Sequence, residues 1–168
     1  MNKSPEDKRD WKSFIGTPED KRDWKSFIRS LDCTHFITLN PLVRGLRQHE
    51  ALKIGETLAK RLKDRAELSN GSVILIPEKC SKGIWHYHGF VKVTNASQAT
   101  FLKADAGEML VDAMKKQAAR KYRPYRYANS EPRSSALIEP LGEEPNRAFH
   151  YATKYWDDQD KSANVILA

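Results

Sequence analysis

The chain contains few cysteines and no long apolar segment. Its only two cysteines, Cys33 and Cys80, are too few for a disulfide scaffold, and we expect both to be reduced. Since no stretch of about 18 consecutive apolar residues and no signal-peptide pattern occurs, we expect a cytoplasmic protein with no membrane partner. The phosphate-binding pattern Gly-x-x-x-x-Gly-Lys-Ser/Thr is also absent, which argues against a nucleotide-driven helicase within this sequence. We further expect no small-molecule cofactor.

The composition is that of an ordinary folded domain with a basic surface. Of the 168 residues, 39% are hydrophobic and 30% are charged. This length and composition are typical of one domain with a single core. The net charge of +7 favours a polyanion or an acidic surface as the partner.

One segment concentrates basic and aromatic residues. Between Ala113 and Ser130 there is no acidic residue, and tyrosines are interspersed with lysines and arginines. Because cations bind phosphates and aromatic rings stack on unpaired bases, the segment is a candidate site for single-stranded nucleic acid. A solvated helix face that leads into a loop would have a similar composition. The candidate residues are Lys115, Lys116, Arg120, Lys121, Tyr122, Arg123, Tyr125 and Arg126.

The N-terminal segment is an internal duplication. Residues 5–15 and 18–28 both read PEDKRDWKSFI, and each copy begins with a hydroxyl residue, proline and acids that favour a helix start. Two copies are too few for a solenoid. We therefore expect an N-terminal helical segment over residues 1–30, a main domain over 31–160 and a tail over 161–168.

The remaining pattern alternates strands and helices. It predicts strands over 34–40, 72–79, 83–93 and 136–141, and helices over 48–68, 95–122 (with a break near Gly107) and 144–156. The order β-α-β-β-α-β-α is typical of the split βαβ class, as in ferredoxin-like and RRM-like folds. The predicted fold is therefore α+β, an antiparallel sheet of four or five strands with helices packed on one face.

Two histidines on the third predicted strand form a candidate metal site. Because strand side chains alternate between faces, His86 and His88 lie on one face, with Cα atoms roughly 6.5–7 Å apart. Glu78 precedes His86 by eight residues across a predicted hairpin, and its carboxylate could reach the same ion. Two imidazoles and a carboxylate suit manganese, iron or zinc, and also work with magnesium. The alternatives are partly buried histidines beside a sheet and a surface glutamate.

The last predicted helix carries candidate nucleophiles. Tyr151, Lys154 and Tyr155 stand at positions i, i+3 and i+4 and therefore share one helix face. A phenol has a reference pKa near 10, and a neighbouring ammonium favours its ionised, nucleophilic form. Tyr151 is the main candidate. Tyr155 is either a second nucleophile or an aromatic residue that packs the helix.

Three segments together resemble a known enzyme superfamily. Phe36-Ile37-Thr38-Leu39-Asn40, then His86-Tyr87-His88, then Tyr151-Ala152-Thr153-Lys154 are similar, in order, to the three motifs of the HUH endonucleases. They resemble most the rolling-circle replication initiators (Rep proteins) of phages, plasmids and single-stranded DNA viruses, with Tyr-x-x-Lys-Tyr similar to the gene A branch of small phages. Thr38 and Asn40 belong to the first motif.

The resemblance implies an HUH nuclease fold and a sequence-specific DNA endonuclease that initiates rolling-circle replication. A tyrosine would nick single-stranded DNA or an origin hairpin and become joined to the 5′ phosphate, with Mn2+ or Mg2+ as cofactor. A separate host helicase and replication machinery would be partners, in the bacterial cytosol for a phage or plasmid protein. Three alternatives remain: a transposase or relaxase of the same superfamily, a non-catalytic nucleic-acid-binding module with structural zinc, and a cupin-like oxygenase. The cupin pattern needs a glutamate shortly after the second histidine, and Gly89-Phe90-Val91-Lys92 follows instead.

Overall fold

The computed structural model of the chain describes residues 26, 30–121, 134–142, 145–153 and 165–168. Apart from Ser26, the N-terminal duplication lies outside the described residues, so its predicted helices and domain boundary stay predictions. No helix in the part of the chain that the structure describes is long and apolar enough to span a membrane. Both cysteines are free thiols, as predicted.

The described residues form one antiparallel sheet of five strands with three helices, which confirms the predicted α+β class. The spatial strand order is β4-β1-β3-β2-β5, so the strand with the two histidines is central. The fifth strand, which pairs with β2, lies within residues 161–168, where only a tail was predicted. The strands are β1 (His35–Asn40), β2 (Val73–Lys79), β3 (Trp85–Val91), β4 (Ser135–Pro140) and β5 (Ile166–Leu167), and the helices are α1 (Gln48–Arg65), α2 (Ala96–Lys121) and α3 (Pro145–Thr153).

Helix α1 forms where the sequence predicts it, because its apolar residues recur at helical spacing. Ile54, Leu58 and Leu62 are fully buried and belong to the core cluster beneath the sheet. The helix approaches β3 closely at Gly55, where an added Cβ would lie 2.9 Å from the Tyr87 ring. The Tyr87 hydroxyl donates a 2.7 Å hydrogen bond to the Ala51 carbonyl. This contact fixes α1 against the central strand.

Helix α2 is continuous over 26 residues, so the predicted break near Gly107 is wrong. Glycine weakens a helix interior by roughly 1 kcal/mol relative to alanine. At this point the helix packs against the segment before β4, since the Ser134 hydroxyl donates a 2.6 Å hydrogen bond to the Gly107 carbonyl. A Cβ atom added at Gly107 would lie 3.3 Å from the Ser134 Oγ atom, so this close packing favours glycine here.

The helices cover both faces of the sheet, whereas a single helical face was expected. Helices α1 and α2 share one core cluster with Ile37, Leu39 and Tyr87. Phe149 of α3 instead stacks on Phe90, with ring centroids 4.5 Å apart, in a second cluster on the opposite face. Because strand residues alternate between faces, this second face is the one that carries the two histidines.

Cys33, just before β1, is predicted to react slowly with alkylating reagents. Burial raises the pKa of its thiol from 9.0 to about 11, Lys92 acts in the opposite direction, and Asp32 raises it further. Since the thiolate is the nucleophile, its population at pH 8 should fall about 100-fold. We expect iodoacetamide to modify Cys33 about 100 times more slowly in the folded chain than in denaturant, as measured by peptide mass spectrometry. Equal rates in both states would contradict the prediction.

Candidate metal centre

The hairpin of β2 and β3 aligns the three candidate ligands. Its turn closes through a 2.9 Å hydrogen bond from the Gly83 amide to the Cys80 carbonyl, with Gly83 in the left-handed region at φ 75°. In the resulting register Glu78 lies directly opposite His86. His88 lies two residues further along β3, on the same face. The predicted hairpin and the shared face are therefore both present.

The three side chains approach one point. The Glu78 Oε2 atom lies 3.7 Å from the Nε2 atoms of both His86 and His88. All three possible ligand atoms are within 4.8 Å of one another. Glu78 is 7% exposed and His88 is 2% exposed. The interpretation of Glu78 as a surface glutamate is therefore wrong.

The distances and donor types fit one shared metal ion. Separations of 3.7 Å are longer than hydrogen bonds. Metal bonds of about 2.1 Å at a tetrahedral angle would place donor atoms roughly 3.4 Å apart, so the two separations from Glu78 need only a small contraction. Glu78, His86 and His88 therefore form a group that could bind a metal ion.

The ring of His88 is held from two further directions. Thr38 is its cross-strand partner on β1, and the Thr38 Oγ1 atom lies 3.2 Å from the His88 Nδ1 atom. The ring of Phe36 lies nearly parallel to the imidazole, with centroids 5.9 Å apart and an interplanar angle of 11°. The hydroxyl and the aromatic ring together restrict the rotation of His88 and leave its Nε2 atom facing Glu78.

Tyr151 places a phenol beside this cluster. Its ring meets the His88 ring edge to face at a centroid distance of 5.0 Å and the Phe36 ring at 6.3 Å. Phe149 and Ala152 anchor α3 in the core cluster on this face. Tyr151 itself is 47% exposed. A partly exposed tyrosine is therefore in ring contact with a candidate metal ligand.

The other predicted site residues are not part of this cluster or lie outside the described residues. Asn40 donates a 3.0 Å hydrogen bond to the Ser135 hydroxyl, which ties the ends of β1 and β4 together. Lys115 and Lys116 are exposed on α2, and Arg120 and Lys121 belong to the same helix. Lys154, Tyr155, Tyr122, Arg123, Tyr125 and Arg126 lie outside the described residues.

Phe36 is a site residue that was not singled out from the sequence. It contacts both His88 and Tyr151 and also lies 5.5 Å from the Phe90 ring. Phe36 lies two residues before Thr38 and therefore on the same face of β1. This spacing could have indicated from the sequence that Phe36 lies near the site. An aromatic residue in a strand is, however, equally typical of a plain core.

The fold and the site define a coarse class: an α+β domain with an open antiparallel sheet and a His/Glu group that could hold a metal ion on its central hairpin. A comparison of the chain with known protein families, curated protein sequences and solved structures finds no match.

Proposed function

We propose that the chain is a metal-dependent endonuclease that nicks and rejoins single-stranded DNA at a specific sequence and thereby initiates rolling-circle replication. The observation that carries the proposal is the contact of the Tyr151 ring with His88, at a centroid distance of 5.0 Å. A nucleophile next to a metal-binding group is what phosphodiester cleavage through a covalent intermediate requires.

The arrangement of the three sequence motifs supports this proposal. Thr38 comes from β1, the two histidines come from β3, and Tyr151 comes from α3, yet all lie on one face of the sheet. Thr38 and His88 are 50 residues apart in the sequence. Residues scattered along a chain that converge around titratable groups are typical of functional sites.

The chemistry follows from the positions of the side chains. The Tyr151 hydroxyl oxygen would attack the phosphorus in line, forming an O–P bond as the bond to the 3′ oxygen breaks. The phenol proton is lost to solvent or a nearby base, and the departing 3′ oxygen gains a proton to become a hydroxyl. A divalent ion held by Glu78, His86 and His88, Mn2+ or Mg2+, would supply charge stabilisation at the phosphate. The phosphotyrosine retains the bond energy for rejoining.

Helix α2, on the sheet face opposite the histidines, carries two exposed lysines. Gly107 contacts Ser134, beside the Ser135 that pairs with Asn40 at the end of β1. With a rise of about 1.5 Å per residue, Lys115 and Lys116 lie about 12 Å further along the helix. These exposed lysines are candidates for binding the phosphates of a DNA strand that passes around the edge of the sheet.

Alanine at Lys115 or Lys116 should weaken single-stranded DNA binding and reduce its salt dependence. Each lysine that neutralises one phosphate contributes about 0.7 to the slope of log affinity against log salt concentration. Fluorescence anisotropy with a labelled oligonucleotide over a sodium chloride series measures this slope. Lys103→Ala is the control. This lysine is also exposed on α2, but its charge helps to lower the pKa of His35 after burial of that ring, which places it near the opposite end of β1. An unchanged slope in the Lys115→Ala and Lys116→Ala variants would show that these two lysines do not contact phosphates.

The experiment that tests the proposed function is incubation with a pool of single-stranded oligonucleotides and Mn2+, followed by denaturing electrophoresis. A protein band shifted by covalently attached DNA is the expected result, and its absence over all sequences would contradict the endonuclease. Binding of both metal and DNA without an adduct would instead favour a non-catalytic nucleic-acid-binding module. Sequencing the captured strand identifies the origin, and a nick in a transposon end or a transfer origin would indicate a transposase or relaxase.

A further inference from the structure

We propose that Thr38 is a positioning residue that orients the His88 ring for metal binding through Nε2. Its hydroxyl would accept the hydrogen of the Nδ1 atom, so that the Nε2 atom presents a lone pair toward Glu78. The inference rests on the metal site of the proposed function and extends it to a residue that does not itself bind the ion.

The geometry of the sheet makes this contact specific. Thr38 and His88 are directly paired residues of two adjacent strands, and β3 lies between β1 and β2 in the centre of the sheet. Directly opposite side chains on one face have Cβ atoms about 4.5–5.5 Å apart. The Oγ1 to Nδ1 distance of 3.2 Å is therefore a consequence of the strand register.

A neutral imidazole carries one hydrogen on one of its two nitrogens. If the hydrogen sits on Nε2, it points toward the Glu78 carboxylate and blocks the lone pair that a metal ion needs. If it sits on Nδ1, it can be donated to Thr38, and Nε2 is ready to bind the ion. Partners of this kind on metal-binding histidines typically change metal affinity by 10- to 100-fold when they are removed.

The stacked ring of Phe36 does not replace this contact. A nearly parallel aromatic ring at 5.9 Å fixes the plane of the imidazole. It does not distinguish the two nitrogens, since a flip of the ring by about 180° preserves the stacking. The threonine hydroxyl holds the Nδ1 edge of the ring toward β1, and it can accept the Nδ1 hydrogen when Nε2 binds an ion.

A matched pair of substitutions separates positioning from packing. Thr38→Val keeps the branched shape and removes the hydroxyl, whereas Thr38→Ser keeps the hydroxyl and removes a methyl group. Isothermal titration of the full chain with Mn2+ should give a Kd 10- to 100-fold higher for Thr38→Val. The Kd of Thr38→Ser should stay within about threefold of the unchanged protein, because the hydrogen bond is retained.

Nitrogen-15 NMR of the protein loaded with diamagnetic Zn2+ gives a second measurement that needs no variant. The His88 ring should bind the ion through Nε2 and carry its hydrogen on Nδ1. An ion bound at Nδ1 in the unchanged protein would overturn the proposal, as would an Mn2+ affinity that Thr38→Val leaves unaltered. An unchanged protein that binds no Mn2+ contradicts both the metal site and this role of Thr38. If Thr38→Val loses Mn2+ affinity as expected but the unchanged protein forms no DNA adduct, only the proposed endonuclease activity is contradicted.

Discussion

Alanine at His88 is expected to abolish Mn2+-dependent DNA cleavage and to weaken Mn2+ binding by more than about 100-fold. Loss of a supporting residue around a metal ligand already costs about 10- to 100-fold in affinity, and loss of the ligand itself should cost more. The removed imidazole supplies one of three donor atoms that lie within 4.8 Å of one another. Calorimetry with Mn2+ and gel assays of oligonucleotide cleavage measure the two effects.

His49→Ala is the matched control, since His49 is exposed on α1 and is not part of the cluster. It should leave metal affinity and cleavage unchanged. Because His88 is buried, far-UV circular dichroism must accompany its variant. His86→Ala removes a less buried ligand of the same cluster and should give the same loss with a smaller effect on folding. A His86/His88 double alanine variant that still cleaves DNA in the presence of a chelator would refute the metal requirement.

Phenylalanine at Tyr151 is expected to eliminate the covalent protein–DNA adduct. The substitution removes the attacking oxygen but keeps the ring that contacts His88 and Phe36, so the fold and the metal affinity should be retained. Removal of a nucleophile typically lowers the rate by many orders of magnitude, and we expect a loss of at least about 1000-fold. Denaturing electrophoresis of the incubated protein measures the adduct, and calorimetry with Mn2+ checks the site.

Tyr155→Phe distinguishes one active tyrosine from two. Tyr155 lies outside the described residues, and its position one helical turn after Tyr151 is a prediction from the sequence. If Tyr151 works alone, Tyr155→Phe should leave first-round cleavage near normal. An adduct that persists in Tyr151→Phe and disappears only in the double variant would show that a strand can be attacked by either tyrosine.

The grouping of Glu78, His86 and His88 could be predicted because it depends on local geometry. A period of two residues puts His86 and His88 on one face, and the short connection before them predicts the hairpin that brings Glu78 opposite His86. Neither inference needs knowledge of how distant elements pack. The burial of Glu78 could not be predicted in the same way, since it depends on the elements that cover this face of the sheet.

Long-range packing explains what the sequence did not predict. An amphipathic pattern shows that α3 has an apolar face but not which side of the sheet it covers. Strand β5 has only two residues, Ile166 and Leu167, and is stabilised by pairing with β2. So short an apolar run has no period of its own. The contact of Phe36 with Tyr151 likewise exists only once β1 and α3 are packed together.

The placement of α3 has a consequence for how stability is distributed around the site. Glu78, His86 and His88 lie on the central hairpin of the sheet, whereas Tyr151 lies on a nine-residue helix. Among the α3 side chains that the structure describes, those of Phe149 and Ala152 are the buried ones. Regions with few buried apolar contacts open at a lower free energy than the core of a domain. We therefore expect α3 to open at a lower free energy than the central hairpin, which would move Tyr151 away while Glu78, His86 and His88 stay together.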